Sequence, residues 1–337
     1  MTAAGPAADL LVRARSGDRR ALGRLLTLVE RGDAGTHGLD DLVHPHAPGD
    51  APVIGVTGAP GTGKSTLVGH LVKEIADAGG QPAVLAVDPS SPLSGGAILG
   101  DRIRMDGVAE GRAFIRSMAT RGHAGGLALA VPGALRLFEA CGFGPLVVET
   151  VGVGQVEVDV TRTADTTVVM VAPGMGDAVQ ANKSGLLEVA DVLVVNKADR
   201  PGADDVRRDL EHMLDLGHIT GATQHWRPEI IMTTATTGAG ALDVHQAIQA
   251  HRAHLASTGG LEARRHSRIR QEVQDRIAQH LDTAAEGLLS TQPAELQEAL
   301  EGSQTPAAAA AKISKRLLSN QPQMSPSNQP AAQGQER

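Results

Sequence analysis

The stretch GAPGTGKST, at 58–66, has the residue types and the spacing of a loop that cradles phosphate groups. Glycine has no Cβ, so the backbone can turn tightly and bring successive N–H groups, and the positive end of the following helix, close to an anion. In the pattern G-x-x-x-x-G-K-[ST], Lys64 reaches the β- and γ-phosphates and the Ser65 hydroxyl ligates Mg²⁺. A glycine-rich turn before an ordinary helix is the alternative. The predicted phosphate site comprises Gly58, Ala59, Pro60, Gly61, Thr62, Gly63, Lys64, Ser65 and Thr66.

A second motif, NKAD at 196–199, indicates which base is bound. The Asp199 carboxylate can accept hydrogen bonds from N1–H and the 2-amino group of guanine, and adenine lacks both donors. Lys197 is expected to lay its stem over the base plane, and helix capping by Asp199 is the alternative role. The run TTATTGAG, at 233–240, is expected to direct the Ala235 N–H at the guanine carbonyl oxygen. The predicted base site comprises Asn196, Lys197, Asp199, Thr234, Ala235 and Thr236.

Three carboxylates are candidates for the chemistry of hydrolysis. Glu149 ends an apolar run and is followed by TVG, so it suits a γ-phosphate sensor that acts through Mg²⁺ or on the attacking water, with the Gly152 N–H on the γ-phosphate. Asp88 and Asp101 flank a stretch rich in Ser and Gly that suits a mobile switch, and a cap or a surface loop is the alternative for both. We assign catalysis to Lys64, Glu149 and Asp101, and Mg²⁺ to Ser65, Asp88, Asp101 and Glu149.

Short β-branched runs alternate with segments of helical length, which predicts an α/β fold: a mostly parallel sheet covered by helices on both faces. Ligands of such sheets bind at the carboxyl ends of the strands, where the motifs above fall. The predicted strands lie at 53–57, 83–87, 113–118, 145–149, 166–172, 192–196 and 229–234.

Helical segments flank this central part. Apolar spacing predicts a helical segment at 9–31, followed by a linker in which His44 and His46 are solvated. Thr305 and Pro306 predict the cap and first position of a late helix. We therefore predict an N-terminal helical extension and linker at 1–50, a GTP-binding domain at 51–256, a C-terminal helical arm at 257–318 and a disordered tail at 319–337.

Composition excludes several classes of function. The 337 residues carry a net charge of −7 and only 1% aromatics, which argues against nucleic-acid binding. The single cysteine, Cys141, excludes a disulfide framework within one chain. No run approaches the ~18 apolar residues of a membrane span, and the first residues lack the apolar centre of a signal peptide. We expect a cytoplasmic protein that does not bind membranes.

Six blocks together resemble the MeaB/ArgK family, which comprises SIMIBI-class P-loop GTPases associated with methylmalonyl-CoA mutase. The resemblance spans roughly residues 10–290. The blocks are GAPGTGKST, VDPSSPLSGGAILGDRIRM, SMATRGHAGGLA, VVETVGVGQVEVDV, VAPGMGDAVQANKSGLLEVAD and VVNKAD.

The resemblance implies Mg²⁺-dependent GTP hydrolysis, GTP or GDP as the bound nucleotide, and a homodimer formed with the C-terminal arm. It also implies a chaperone that gates cofactor loading into an adenosylcobalamin-dependent mutase and protects that mutase. The block PGMGDAVQANK is similar to the switch loop that relays nucleotide state, with Asp177, Gln180 and Lys183 matching. Ala178 and Val156 depart from the family pattern.

Other functions remain open at this point. A metallochaperone GTPase for nickel or cobalt is one, although its relatives carry thiolate or Cys/His motifs and this chain has one cysteine. A module that holds GTP with negligible turnover is another, because it would share the same phosphate loop. The older family label of an arginine-transport kinase finds no phosphoacceptor site in the motifs. The partner could also be a related mutase for isobutyryl- or ethylmalonyl-type substrates.

Overall fold

The computed structural model describes residues 4–31, 37–47, 49–88, 105, 109–119, 124–150, 162–174, 189–219 and 226–319. The helices of this part are α1 (Ala4–Arg15), α2 (Arg19–Arg31), α3 (His37–Val43), α4 (Lys64–Asp77), α5 (Ala124–Ala140), α6 (Ala203–Ile219), α7 (Ala241–Thr258), α8 (Gly260–Ser290), α9 (Ala294–Leu300) and α10 (Pro306–Ser319). The strands are β1 (Val53–Gly58), β2 (Ala83–Asp88), β3 (Phe114–Ala119), β4 (Leu146–Thr150), β5 (Thr166–Val171), β6 (Val192–Asn196) and β7 (Glu229–Thr233).

The seven strands form one sheet in the order β3-β2-β4-β1-β5-β6-β7, and every pair of neighbours runs parallel. The predicted sheet and all seven predicted strands are therefore confirmed. Strands of such a sheet are buried on both sides, which explains why their sequences are nearly continuous Val, Ile and Leu. The register places Val56 beside Glu149 and Gly58 beside Met170. The phosphate motif and Glu149 therefore lie side by side at the carboxyl ends of the neighbouring strands β1 and β4.

Alternation along the strands sends side chains into two cores. Val53 of β1 and Val148 of β4 face one core, which α1, α2, α3 and α5 complete. Ile54 and Val56 of β1, together with Val147 of β4, face the other core, which α4 and α7 complete. Helices cover both faces of the sheet, as predicted, and the polar strand ends are left between the two layers.

The N-terminal segment is helical and ends at Arg31 as predicted, but a turn divides it into α1 and α2. Gly17 adopts a φ of 95°, a conformation that suits glycine. The Asp18 carboxylate then accepts hydrogen bonds from the N–H groups of Arg20 (2.9 Å) and Ala21 (3.1 Å). This N-cap starts α2 and allows the two helices to pack against each other.

The prediction of a linker after α2 is partly wrong, because residues 37–46 form α3 and a short 3₁₀ helix. Leu39 and Val43 are 3% and 1% exposed and fill the core beside α1 and α5, which stabilises helix in a segment with little helical periodicity. His44 and His46 are exposed, as predicted. Within the described ranges, no cluster of three metal-binding side chains occurs.

The C-terminal part contains α8, α9 and α10. Thr305 caps α10 as predicted, since its hydroxyl accepts a bond from the Ala308 N–H at 3.2 Å. The chain divides into two compact units, Met1–Val273 and Gln274–Arg337, and the predicted four-segment organisation stays a prediction. In the described residues, no helix is both long and apolar enough to cross a membrane.

A polar cluster lies where β5 and β6 begin, centred on the buried carboxylate of Asp191. Arg264 of α8 donates to both of its oxygens, at 2.7 and 2.8 Å. His251 is fully buried, with Nε2 at 3.2 Å from Asp191 Oδ1 and Nδ1 at 2.9 Å from Thr166 Oγ1. Trp226 donates its indole N–H to the Asp191 carbonyl oxygen at 2.8 Å, and its ring lies 4.9 Å from that of His251.

Further bonds hold the first turns of α8. Arg265 donates to the carboxylate of Asp50 at 3.1 Å, and Arg268 donates to a backbone carbonyl oxygen ahead of β5 at 2.8 Å. Glu272 accepts two bonds from Arg136 of α5, each 2.8 Å long. Three consecutive turns of α8 are therefore held by side-chain contacts within the first compact unit.

Burial lowers the pKa of His251 from 6.5 to about 4, although the negative charge of Asp191 opposes this shift. The unfolded chain therefore binds more protons between these values, and His251 should make folding less favourable as the pH falls below 6.5. We predict a loss of about 2 kcal/mol in the free energy of unfolding between pH 7 and pH 5 that His251→Gln abolishes. Urea denaturation followed by the fluorescence of the single tryptophan measures it.

The matched control is His44→Gln, which removes an exposed histidine outside the cluster. It should keep the full pH dependence of the native sequence. If His251→Gln shows the same loss as the native chain, the buried imidazole is not the group that titrates.

Candidate functional site

The phosphate loop joins β1 to α4, and two of its glycines are required by what faces them. A Cβ at Gly58, where φ is 141°, would lie 2.2 Å from the carbonyl oxygen of Met170 in β5. A Cβ at Gly63, where φ is 97°, would lie 2.3 Å from the Asn196 side-chain nitrogen. The loop therefore keeps its conformation only with glycine at both ends.

Lys64, the first residue of α4, is 5% exposed and turns back over the loop. Its Nζ donates to the carbonyl oxygens of Gly58 at 2.6 Å and Ala59 at 3.1 Å. Thr62 closes the same turn, because its hydroxyl donates to the Ala59 carbonyl oxygen at 2.9 Å. A positive charge is thus fixed beside the N-terminus of α4, which is the arrangement that binds phosphate.

Ser65 and Glu149 meet beside this helix terminus. The Ser65 hydroxyl donates to Glu149 Oε1 at 2.7 Å, and Glu149 is fully buried at the end of β4. Hydroxyl and carboxylate oxygens are the ligands that Mg²⁺ prefers, so this pair fits the predicted ion. Asp88 ends β2, the neighbour of β4, while its side chain lies outside the described part of the structure.

Asn196 joins the base motif to the phosphate loop. It is 2% exposed, and its Nδ2 donates to the Thr62 carbonyl oxygen at 2.6 Å. Its Oδ1 accepts from the Thr233 hydroxyl at 3.0 Å and from the Ala235 N–H at 2.9 Å. One amide group therefore connects the ends of β6 and β7 to the loop after β1.

Lys197 makes a second connection, since its Nζ donates to the Gly61 carbonyl oxygen at 2.7 Å. Its φ of 59° is uncommon for a residue with a side chain, and it turns the chain sharply after β6. Asp199 follows in this turn and is exposed, so its carboxylate can be reached by a ligand.

The structure thus brings together the phosphate loop, Glu149 and the base motif, while their contacts with nucleotide stay predictions. The Ala235 amide already donates to Asn196, so a bond to the guanine carbonyl oxygen would require this donor to be shared. Thr234 and Thr236 lie in the same turn after β7. Thr233 is not among the predicted site residues, because nothing in the run TT distinguishes it from its neighbour. Other predicted residues lie outside the described ranges: Asp101, Gly152, Asp177, Gln180 and Lys183.

We predict that Asp199→Asn changes the base preference from guanine to xanthine. The carboxylate matches two donors of guanine, whereas an amide can donate to the 2-carbonyl group of xanthine. Loss of this pairing should weaken GDP binding by about 100-fold. Calorimetry with GDP and xanthosine diphosphate measures both affinities.

Asp205→Asn is the matched control, because Asp205 is an exposed carboxylate in the first turn of α6. It should bind GDP as the native chain does. Native GDP affinity in Asp199→Asn would show that this carboxylate does not read the base.

Comparisons with known proteins agree with this geometry. A family model described as "Methylmalonyl Co-A mutase-associated GTPase MeaB" matches residues 22–286. A Pyrococcus horikoshii protein whose name assigns it to the GTPases is 45% identical over 286 residues, 85% of this chain and 90% of that protein. A Cupriavidus metallidurans protein named "Fused isobutyryl-CoA mutase" is 39% identical over 199 residues, 58% of this chain and 18% of that protein.

Among solved structures, a LAO/AO transport system kinase is similar over 93% of this chain and 97% of its own, with 27% identity and a TM-score of 0.65. The fold, the phosphate loop and the family model therefore agree along most of the chain. The chain belongs to the MeaB family of methylmalonyl-CoA mutase-associated GTPases, and it is a P-loop GTPase.

Proposed function

We propose that this GTPase is a chaperone for an adenosylcobalamin-dependent acyl-CoA mutase, with methylmalonyl-CoA mutase as the favoured partner. The observation that carries the proposal is the match over residues 22–286 to a family described by its association with that mutase. The similarity to a segment of a fused isobutyryl-CoA mutase supports it, because such a segment there shares one chain with a mutase.

The residues of the site supply the parts of the hydrolysis reaction. Lys64 and the loop amides would hold the β- and γ-phosphates, and Ser65 and Glu149 would hold Mg²⁺. When bound, the ion neutralises charge that develops on the phosphates. Glu149 is buried beside Ser65, so the chain fixes this carboxylate before the nucleotide arrives.

Turnover by the isolated protein should be slow. The sequence offers no convincing water-orienting glutamine and no obvious arginine finger, so we propose a rate of about 10⁻⁴ to 10⁻² per second, as in unassisted GTPases. A slow reaction gives the protein two long-lived states, with GTP and with GDP. The GTP-bound and GDP-bound states can shift the mutase between its cofactor-accepting and closed forms only to the extent that they differ in affinity for the mutase.

The proposed relay is the segment that holds Asp177, Gln180 and Lys183. This segment follows β5 in the sequence, and β5 lies beside β1 in the sheet. The relay role rests on the family resemblance, since these residues lie outside the described ranges. A substitution there should alter communication with the mutase more than it alters nucleotide binding.

We predict that the cognate mutase raises GTP hydrolysis by at least about tenfold, which corresponds to about 1.4 kcal/mol in the barrier. Lys183→Ala should reduce this ratio of rates with and without the mutase, because it removes a charge from the proposed relay. A steady-state assay of phosphate release measures the ratio.

Lys73→Ala is the matched control, since Lys73 lies on α4 and forms a partly exposed ion pair with Glu110 at 3.3 Å. It should keep the full ratio. Equal rates with and without the mutase, once binding has been confirmed separately, would show that the proposed partner is wrong.

We also propose a homodimer that uses an apolar stripe along α8. Ile269, Val273, Ile277 and Leu281 recur at helical spacing and are 59%, 50%, 54% and 39% exposed. A stripe of this kind is typical of an interaction surface. Sedimentation velocity of the native chain should therefore give a dimer.

The prediction is that Ile269→Glu shifts the protein towards monomer, because the dimer would bury the stripe and leave a charge there without a partner. Leu242→Glu is the control, since Leu242 is also half exposed but lies on α7. A native chain that sediments as a monomer at every concentration would exclude the dimer.

A further inference from the structure

Two buried threonines face each other behind the nucleotide site. Thr57 is followed directly by Gly58, where the phosphate loop begins, and Thr150 follows Glu149 at the end of β4. The Thr150 hydroxyl donates to the Thr57 hydroxyl at 3.1 Å. Their exposed fractions are 0% and 1%, so both hydroxyl groups lie in the interior.

The register of the strands explains why these side chains meet. β1 and β4 are parallel neighbours with Val56 beside Glu149, so Thr57 and Thr150 occupy the next position along the pair. Alternation directs Glu149 to the face of α4, where it meets Ser65. Thr57 and Thr150 point to the opposite face. The backbone around residues 149 and 150 is therefore held from both sides of the sheet.

The chemistry of this pair is unusual for its surroundings. On the same face, Val148 lies two residues before Thr150 and Val53 lies four residues before Thr57, and both valines fill the core without polar groups. A buried hydroxyl costs free energy unless it is hydrogen bonded, and a hydrogen-bonded pair adds little net stability. Valine has nearly the same shape as threonine. The pair adds a fixed distance between two strand ends rather than a large gain in stability.

We infer that Thr57 and Thr150 are positioning residues for GTP hydrolysis, which keep the end of β4 in register with the start of the phosphate loop. The inference rests on the proposed role of Glu149. Thr150 is the link between this carboxylate and the next part of the chain, so its hydroxyl sets where Glu149 stands relative to Ser65. Small displacements of such groups reduce rates strongly while binding changes little.

The test uses single-turnover GTP hydrolysis by the full chain, with GDP affinity and urea denaturation measured in parallel. Thr150→Val should slow hydrolysis by about tenfold and leave the GDP dissociation constant within about twofold. Thr150→Ser keeps the hydroxyl and should restore the rate. Thr57→Val breaks the same bond from β1, and the double variant should be no slower than either single variant, because they share one interaction.

Thr166→Val is the matched control, since it removes a buried hydroxyl that is bonded to a side chain, that of His251. Thr166 lies at the start of β5, at the end of the sheet away from the phosphate loop. It should lower stability without slowing hydrolysis. Should Thr150→Val be too unstable to assay, Thr57→Val carries the same test. A native rate in the valine variants, or an equal loss in Thr150→Ser, would overturn the inference. Native hydrolysis by Glu149→Gln would instead remove the proposed role of Glu149.

Discussion

The site depends on the side-chain amide of Asn196. Its nitrogen holds the phosphate loop through Thr62, and its oxygen holds the end of β7 through Thr233 and Ala235. An amide has two donors and one oxygen with two lone pairs, so this one residue can satisfy three polar groups in two other segments at once. Because Asn196 is buried, each lost bond would leave a polar group unpaired at a cost of about 1–3 kcal/mol. The predicted phosphate loop and the predicted base motif therefore share one support.

Much of the fold was accessible from sequence, for a physical reason. Parallel strands buried on both sides are continuous apolar runs, and the polar residues that follow them mark the edge where ligands bind. The seven strands, the phosphate loop and the base motif all fall where this rule places them. Helix α3 was not predicted, because its helical state depends on burying Leu39 and Val43 against partners that are distant in sequence.

The contacts that complete the site were not accessible from sequence. Thr233 and Ala235 reach Asn196 across 37 and 39 residues, and only the order of β6 and β7 in the sheet brings them together. Gly63 fits a phosphate motif, but the motif does not show that Asn196 occupies the space where a Cβ would lie. The same holds for the facing pair of Thr57 and Thr150, which follows from register rather than from spacing.

The bonds that anchor α8 also define how much of the chain is needed to hold the first turns of this helix in place. The contacts made by Arg264, Arg265, Arg268 and Glu272 all lie at or before residue 272, and the first compact unit ends at Val273. A chain that stops at Val273 would retain each of these bonds together with the whole sheet. A chain that stops before Gly260 would leave Asp191 buried beside His251 without its guanidinium partner. A shortened form of this GTPase that keeps the buried Asp191 paired therefore has to extend at least to Arg264, well beyond the last strand.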